Sequence, residues 1–287
     1  MEQLKNKITV SICCITYNHE PYIAQAIEGF LMQKTNFNVE IIIGEDFSTD
    51  GTKQIIESYV SKYPNRINLI SSNFNIGGIN NLLRVIKQVN GKYIALCDGD
   101  DYWTDPLKLQ KQVDFLENSE DCIMCCHYVK KITHSGEINY MNFNPKPIRY
   151  SFIDVLLGNK SETSALSIVF KNTSEVSQMF KADWIFKCNA VDNFIRLYAT
   201  FVSGKNIYVF PEIMGCYRQH EGGIWSSLKP KTIKQKELND LNWAFKIFRF
   251  SGTQKTKLLF FYLKKYFMFE VKEYSFQRAF NTVKAIF

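Results

Sequence analysis

Three carboxylates fall within four residues at Asp98-Gly99-Asp100-Asp101, directly after the apolar run Tyr93 to Cys97. Like charges packed that closely repel, so a fold that keeps them together supplies a cation or hydrogen-bond donors. Hard divalent ions such as Mg2+ and Mn2+ take oxygen ligands, keep open positions and bridge to substrate phosphates, so this spacing suggests a metal-diphosphate site. A solvated acidic turn is the plain alternative. Glu45-Asp46 closes a second apolar run, Val39 to Ile43. A carboxylate there can accept a hydrogen bond from a base or ribose, or cap the helix after Thr52. The turn Ser48-Thr49-Asp50-Gly51-Thr52 reads as helix-capping chemistry.

Two phosphate-cradling patterns are missing. A dinucleotide-binding unit needs G-x-G-x-x-G after its first strand, where this chain has Thr16-Tyr17-Asn18-His19-Glu20-Pro21, and G-x-x-x-x-G-K-[ST] is also absent. Dehydrogenase and P-loop readings lose their main support. Among the eight cysteines, Cys122, Cys125 and Cys126 with His127 are spaced like half a zinc site, yet no second ligand pair follows at a finger-like spacing. Buried, reduced thiols in a cytosolic protein are the expectation.

The acidic clusters need strand ends to hold them. Ile8 to Ile15 reads as a buried strand ending in the polar cluster at Thr16, and Ile23, Ile27, Phe30 and Leu31 follow at helical spacing behind Pro21. Val39 to Ile43, Ile67 to Ile70 and Tyr93 to Cys97 repeat the pattern, with Ile55 to Tyr63 and Leu82 to Val89 as intervening helices. This alternation predicts an α/β fold with a Rossmann-like, mostly parallel sheet flanked by helices. Ligands then bind beyond the carboxyl ends of the strands, where Thr16 to His19, Glu45 to Asp50 and Asp98 to Asp101 converge. Further on, a helix through Leu109, Val113 and Leu116, strands at Cys122 to Val129, Ser164 to Phe170 and Ile207 to Phe210, and a helix over Asp192 to Phe201 are expected. Thr133 to Pro147 reads as irregular, and Met214 to Ser226 as a glycine-interrupted loop near the site.

At 287 residues the chain is ample for a core, and its 46% hydrophobic and 22% charged content excludes disorder and disulfide-dense miniproteins. The net charge of +7 is unevenly placed: the last 62 residues hold 13 basic and 4 acidic side chains together with 14 aromatic ones. From Ser227 helices are expected, with breaks at Pro230 and Ser251-Gly252. The longest apolar run of this tail, Leu258 to Leu263, is too short to span a bilayer. No secretory cleavage pattern follows the N-terminal MEQLKNK, which predicts a cytoplasmic protein.

The series VSICCITYNHEPYIAQAI, EIIIGEDFSTDGT, NIGGINNLL, GKYIALCDGDDYWTDPLKLQKQVDFL and YRQHEGGIWS resembles the family 2 glycosyltransferases, nucleotide-sugar enzymes with the GT-A fold, over about residues 8 to 226. The resemblance implies a catalytic domain over residues 1–226, a basic aromatic helical extension over 227–287, and particular roles. Thr16, Tyr17 and Asn18 would border the uracil of a UDP-sugar, Asp46 would bond the base and Asp98 the ribose. Asp100 and Asp101 would hold Mn2+ or Mg2+ against the diphosphate, with His220 at a position that in some relatives helps hold diphosphate or metal. Asp192 sits where the family places its general base, with Asp183 as runner-up. The family's commoner double aspartate is Glu45-Asp46 here, the base segment is Val191-Asp192, and three acids compete for two metal positions.

The implied reaction is inverting transfer of a hexosyl or N-acetylhexosaminyl group from a UDP-sugar to a hydroxyl of a saccharide or lipid-linked saccharide, as in bacterial polysaccharide biosynthesis. Metal charge offsets the departing diphosphate, and a carboxylate removes the hydroxyl proton. A sugar-phosphate nucleotidyltransferase would want a Gly-rich basic loop in place of TYNHEP. A non-catalytic nucleotide-sugar binding module differs by lacking turnover. The aromatic, cationic tail suits either an anionic membrane surface, making the chain peripheral on the inner face of the cell membrane, or docking on the catalytic domain as an ordinary helical extension. Nucleic acid is not expected, since no recognition module is present.

Overall fold

The computed structural model describes residues 8–133, 135–140, 144–159, 161–223, 225 and 227–287. The N-terminal heptapeptide read for a targeting pattern, together with Ile224 and Ser226 of the last motif, lies outside the described residues.

The chain opens as β1 (Ile8–Thr16), α1 (Ile23–Leu31), β2 (Asn38–Glu45), α2 (Thr52–Lys62), β3 (Ile67–Ser71), α3 (Gly78–Ile86) and β4 (Tyr93–Leu96). It continues as β5 (Tyr102–Trp103), α4 (Lys108–Asn118), β6 (Cys122–Ile132), β7 (Ile138–Tyr140), β8 (Ile148–Tyr150), α5 (Phe152–Leu156), β9 (Val169–Lys171), α6 (Ser174–Ser177), α7 (Val191–Ser203) and β10 (Asn206–Arg218). The tail forms α8 (Pro230–Ile247), α9 (Gly252–Tyr262), a π-helical turn at Leu263–Phe267, α10 (Met268–Glu273) and α11 (Phe276–Ile286).

One sheet runs β3-β2-β1-β4-β9-β6-β10-β5, with β7 on β6 and β8 on β10. Its first four strands are parallel, as the alternation predicted, and β6 is parallel to β10, while β9 lies antiparallel between β4 and β6. Both faces are covered, which is why the strands read as continuous apolar runs. Ile12, Cys14, Ile41 and Ile43 point to a core completed by α1, by Ile56 of α2 and by Leu109, Val113 and Leu116 of α4. Their neighbours Cys13 and Ile42 point to the opposite core with Leu83, Val85 and the α7 residues Phe194 and Ile195.

Four local readings change, the first being that Ile138–Tyr140, inside the stretch read as irregular, forms β7 against β6. Met214 to Arg218 is strand rather than loop, because β10 pairs with β6 as far as Arg218↔Ile132 through register shifts. Gly215 marks no turn: a Cβ there would stand 2.4 Å from Leu166 Cδ1, so the glycine admits the 3-10 turn Ala165–Ser167 against the strand. That turn replaces the first half of the strand expected from Ser164. Pro230 begins α8 at its first turn, where a missing N–H costs nothing, and so starts a helix instead of breaking one.

The tail shares the second core. Leu238, Leu241 and Ala244 of α8 and Phe248 just past its end, with Leu258, Tyr262, Tyr266 and Ile286, pack in the same cluster as Phe194, Leu197 and Ile207. Fully burying one large apolar side chain stabilises by about 1.5–3 kcal/mol, so these helices are held firmly. All eight cysteines are buried with free thiols. Among the described residues no helix is long and apolar enough to cross a membrane.

Candidate active site

The aspartate turn is stitched to the end of β1. Cys97 N–H donates to the Cys13 carbonyl at 3.2 Å and Gly99 N–H to the Ile15 carbonyl at 3.0 Å, carrying the β4–β1 pairing past the last strand residue. A Cβ on Gly99 would stand 2.7 Å from Thr16 Oγ1 and 2.8 Å from Thr16 Cβ, so only glycine lets the turn lie this close to Thr16. Asp101 N–H closes the turn on the Asp98 carbonyl at 3.1 Å.

The far end of β10 supplies partners. Arg218 N–H donates to Asp101 Oδ1 at 2.8 Å, and its guanidinium donates to the Asp100 carbonyl at 2.5 Å. The same guanidinium lies over the rings of Tyr102 and Tyr22, 4.5 and 5.1 Å from their centroids. Two residues on, His220 Nε2 is 3.0 Å from Asp100 Oδ2, and His19 Nε2 from the first loop is 3.8 Å from that oxygen. His19, Asp100 and His220 thus offer three ligand atoms within 4.8 Å of one another. The buried His19 Nδ1 has no hydrogen-bond partner.

Burial, with the charges of Asp100 and Asp192, pushes the Asp98 carboxyl up to about 8. Burial and the Asp100 charge also push Asp101 well above the usual carboxylate range. For Asp100 burial acts upward too, but the hydrogen bond from His220 and the charges of His19 and His220 hold it below that range. The protein's own groups therefore balance only one of three clustered carboxylates. Such a donor set of carboxylate oxygens and imidazole nitrogens fits a divalent cation.

The first loop and the turn after β2 brace each other. Asn18, in the left-handed region at φ 55°, receives Thr49 N–H on Oδ1 at 2.8 Å and donates its own N–H to Ser48 Oγ at 3.0 Å. His19 N–H donates to Thr52 Oγ1 at 2.8 Å, and Glu20 N–H to Asp50 Oδ2 at 3.1 Å. Gly51 at the N-cap has no capping side chain, but Asp50 Oδ1 receives the Thr52 N–H at 3.0 Å and so caps the start of α2 as the spacing suggested, while Ser48 and Thr52 also support the neighbouring loop. Glu45 Oε1 receives Ser48 N–H at 2.5 Å, a bracing role. Asp46 is buried: Oδ1 receives Ile76 N–H at 2.9 Å and Ser72 Oγ at 3.2 Å, and Oδ2 receives Gly77 N–H at 2.9 Å. Its carboxylate therefore fixes the loop before α3, and Oδ2 retains a lone pair. Thr16 is buried, whereas Tyr17, Phe47 and Phe74 are exposed aromatics just beyond the ends of β1, β2 and β3.

Asp192 arrives from the other side, in the first turn of α7. Its Oδ2 pairs with the buried Arg196 guanidinium at 2.6 Å, and Arg196 also donates to the Thr163 carbonyl. Asp98, Asp100, Asp101 and Asp192 all raise the phenol of Tyr217, which burial and these four charges push up to about 12. Asp183 is exposed on the 3-10 turn Asp183–Lys187. The residues before α7 are held from the tail: the buried Asp240 of α8 receives Asn189 N–H at 2.8 Å and Ala190 N–H at 3.0 Å.

Of the residues expected at the site, the structure brings Asp98, Asp100, Asp101, His220 and Asp192 within electrostatic reach of one another. Thr16 lies against them through Gly99. Tyr17, Asn18 and Asp46 lie along the adjoining strand ends. His19, Arg218 and Tyr217 join the site as well; no spacing rule marks them, although His19 stands in the TYNHEP loop and the other two in YRQHEGG.

The family model described as glycosyl transferase family 2 matches residues 11–171. An uncharacterised protein of Mycobacterium tuberculosis is 38% identical over 224 residues, which make up 76% of this chain. The chain spans only 61% of that relative's length. The dTDP-rhamnosyl transferase RfbG of Shigella flexneri is 34% identical over 224 residues, 72% of this chain and 71% of RfbG. Among solved structures, S. aureus TarS 1-349 in complex with UDP-GlcNAc aligns at TM-score 0.68 and 18% identity, covering 97% of this chain and 82% of that one. The mannosyltransferase PcManGT of Pyrobaculum calidifontis, in complex with GDP-Man and Mn2+, aligns at TM-score 0.61 and 15% identity over 96% of this chain and 73% of that one.

Proposed function

The chain belongs to glycosyl transferase family 2 and has the GT-A fold, and from that premise we propose that it transfers a sugar from a UDP-sugar, with inversion, to a hydroxyl of a saccharide or lipid-linked saccharide. The observation that carries the reading is the convergence, at one strand edge, of Asp98, Asp100, Asp101, His19 and His220 with Asp192 from α7. UDP and dTDP, named for TarS and RfbG, are both pyrimidine diphosphates, which supports a pyrimidine site at the ends of β1 and β2.

Thr16, Tyr17 and Asn18 border the base, with the exposed rings of Tyr17, Phe47 and Phe74 as stacking surfaces. Asp46 holds the loop before α3 as one wall and keeps a lone pair of Oδ2 for a base N–H. Asp98 takes a ribose hydroxyl. Mn2+ or Mg2+ would be held by Asp100, His220 and His19, with the oxygen of Asp101 not bonded to Arg218. Bound there, the ion supplies positive charge where the diphosphate leaves. Support comes from the donor geometry and from the Mn2+ named for PcManGT.

Asp192 accepts the acceptor's hydroxyl proton. That hydroxyl is too weak an acid to ionise at neutral pH, so the proton must move in the transition state. Arg196 fixes the direction of the carboxylate by pairing with Oδ2. Residues 1–226 act as the catalytic unit and 227–287 as an extension that steadies it, on the cytoplasmic side, where the tail meets an anionic membrane.

The decisive assay measures nucleoside-diphosphate release from a panel of UDP-hexoses and UDP-N-acetylhexosamines, with dTDP- and GDP-sugars alongside, plus or minus Mn2+, with water and then saccharide acceptors. Asp192→Asn should lower transfer roughly 100- to 10,000-fold while UDP affinity stays within about twofold. Unchanged turnover would sink the assignment.

A further inference from the structure

We propose that the outer face of the C-terminal helices is an in-plane docking surface for an anionic bilayer. The proposal gives residues to the membrane contact named above and rests on that reading only for its use. Its own basis is how the tail divides its side chains between inside and outside.

The large buried aromatics of the tail are Phe248, Tyr262 and Tyr266. Others stay out: Phe260 is 67% exposed, Met268 69% and Phe276 63%, with Leu263 and Phe280 also exposed. Residues four apart drift by roughly 40° per step around an α-helix. The π-helical turn at Leu263–Phe267 takes in an extra residue, which holds Phe260, Lys264, Met268 and Lys272 along one side. All four are exposed. From α11, Phe276 meets Phe267 edge-on at 6.2 Å and stacks on Phe280 at 6.4 Å, joining a second aromatic row to the first. Lys284 Nζ lies 4.9 Å over the Phe280 ring.

Charge identifies the occupant. All four acidic side chains of the tail are engaged within the protein. Glu270 is fully buried and bonds Tyr262, Thr282 and Arg278, while Glu273 pairs with Lys231. Glu237 receives Tyr266 Oη at 3.2 Å, and Asp240 holds the start of α7. Lys257, Lys264, Lys272 and Lys284 are exposed beside the aromatic rows. A face of aromatic and aliphatic tips set among unneutralised lysines matches the acyl boundary and anionic headgroups of a bilayer. Two copies of so cationic a face repel, which argues against self-association through it.

The test uses the full chain in cosedimentation with vesicles of phosphatidylcholine alone or mixed with phosphatidylserine. Binding to the mixed vesicles only is expected, weakening as salt rises. Lys264→Gln and Lys272→Gln should each weaken it roughly fivefold. Phe260→Glu with Phe276→Glu should weaken it at least tenfold, and both positions are exposed enough to spare the fold, checked by circular dichroism. Sugar transfer to a water-soluble acceptor should be unchanged in this double variant, so failure of the membrane surface is distinguishable from failure of the enzymatic reading. Three results would overturn the proposal: no vesicle binding at low salt, equal binding by the variant and the parent, or a preference for single-stranded nucleic acid over anionic vesicles at matched salt.

Discussion

Replacing Asp240 by Asn tests whether the C-terminal helices help set the geometry of the reaction. The carboxylate receives two backbone N–H groups, from Asn189 and Ala190, at 2.8 and 3.0 Å, and the Asn189 side-chain amide at 2.9 Å. A hydrogen bond to a charged group contributes about 1.5–3 kcal/mol. Asparagine that keeps its carbonyl oxygen at the Oδ1 position turns an NH2 toward the Ala190 N–H, so two bonds weaken and one is lost, at a site almost closed to water. The expected cost is about 3 kcal/mol, which lowers the melting temperature by roughly 6–12 °C in a chain of this size. Asp192 begins the turn that this carboxylate anchors, and a misplacement of about 1 Å can cost on the order of 100-fold in rate. We expect kcat to fall roughly ten- to a hundredfold with the Kd for UDP unchanged, and no further loss when the change is made in the Asp192→Asn background. Calorimetric melting, single-turnover transfer and UDP titration measure the three quantities. A lower melting temperature with kcat intact would refute the positioning argument. Loss of UDP affinity in parallel with kcat would show general damage.

The remaining expectations are separable. Asp100→Asn removes the carboxylate shared by His19 and His220, and isothermal titration should show UDP binding that no longer responds to Mn2+; a retained response would move the ligand set elsewhere. Gly99→Ala forces a Cβ to 2.7 Å from Thr16 Oγ1 and should cost about 1–3 kcal/mol in denaturant unfolding together with UDP affinity. Lys108 is fully buried, 4.0 Å over the Trp103 ring, and burial pulls its ammonium down to about 8. The unfolded chain keeps that proton up to about pH 10.4, so Lys108 by itself contributes stability that rises with pH between the two values, while the buried thiols, raised by burial, contribute stability that falls over the same range. The Lys108 contribution is roughly 3 kcal/mol, and Lys108→Met should make the slope of stability against pH more negative across this window; equal slopes for both proteins would contradict it.

The strand-by-strand rhythm of the first hundred residues was legible because both sheet faces are covered, leaving β1, β2 and β4 as unbroken apolar runs ending in polar turns. Asp98 to Asp101 could be read for the same reason: they are contiguous. Arg218 could not, since it reaches Asp100 and Asp101 only after β10 has paired beyond its glycine; His19 stood in the converging loop, but its approach to Asp100 is a three-dimensional contact that spacing does not show. Gly215 looks like punctuation in one dimension and is a packing contact in three. Strand β5, only two residues long, leaves no periodicity to find. The tail's composition was visible, but not its partition. Charge totals do not say that Asp240 and Glu270 are buried while Lys257, Lys264, Lys272 and Lys284 stay out.

The buried thiols make this chain a ready host for chemical reporters. Its cysteines are distributed over β1, β6 and β10 and the segments after β4 and before α7, every one shielded. Burial raises the thiols of Cys13, Cys14, Cys97 and Cys125 far from reactivity. Maleimide added to the native protein therefore finds no thiolate, and any slow native-state labelling dates the opening of an identifiable strand. A single cysteine placed at Phe260 or Met268 would be the sole fast-reacting position, able to carry a fluorophore without first stripping the native eight.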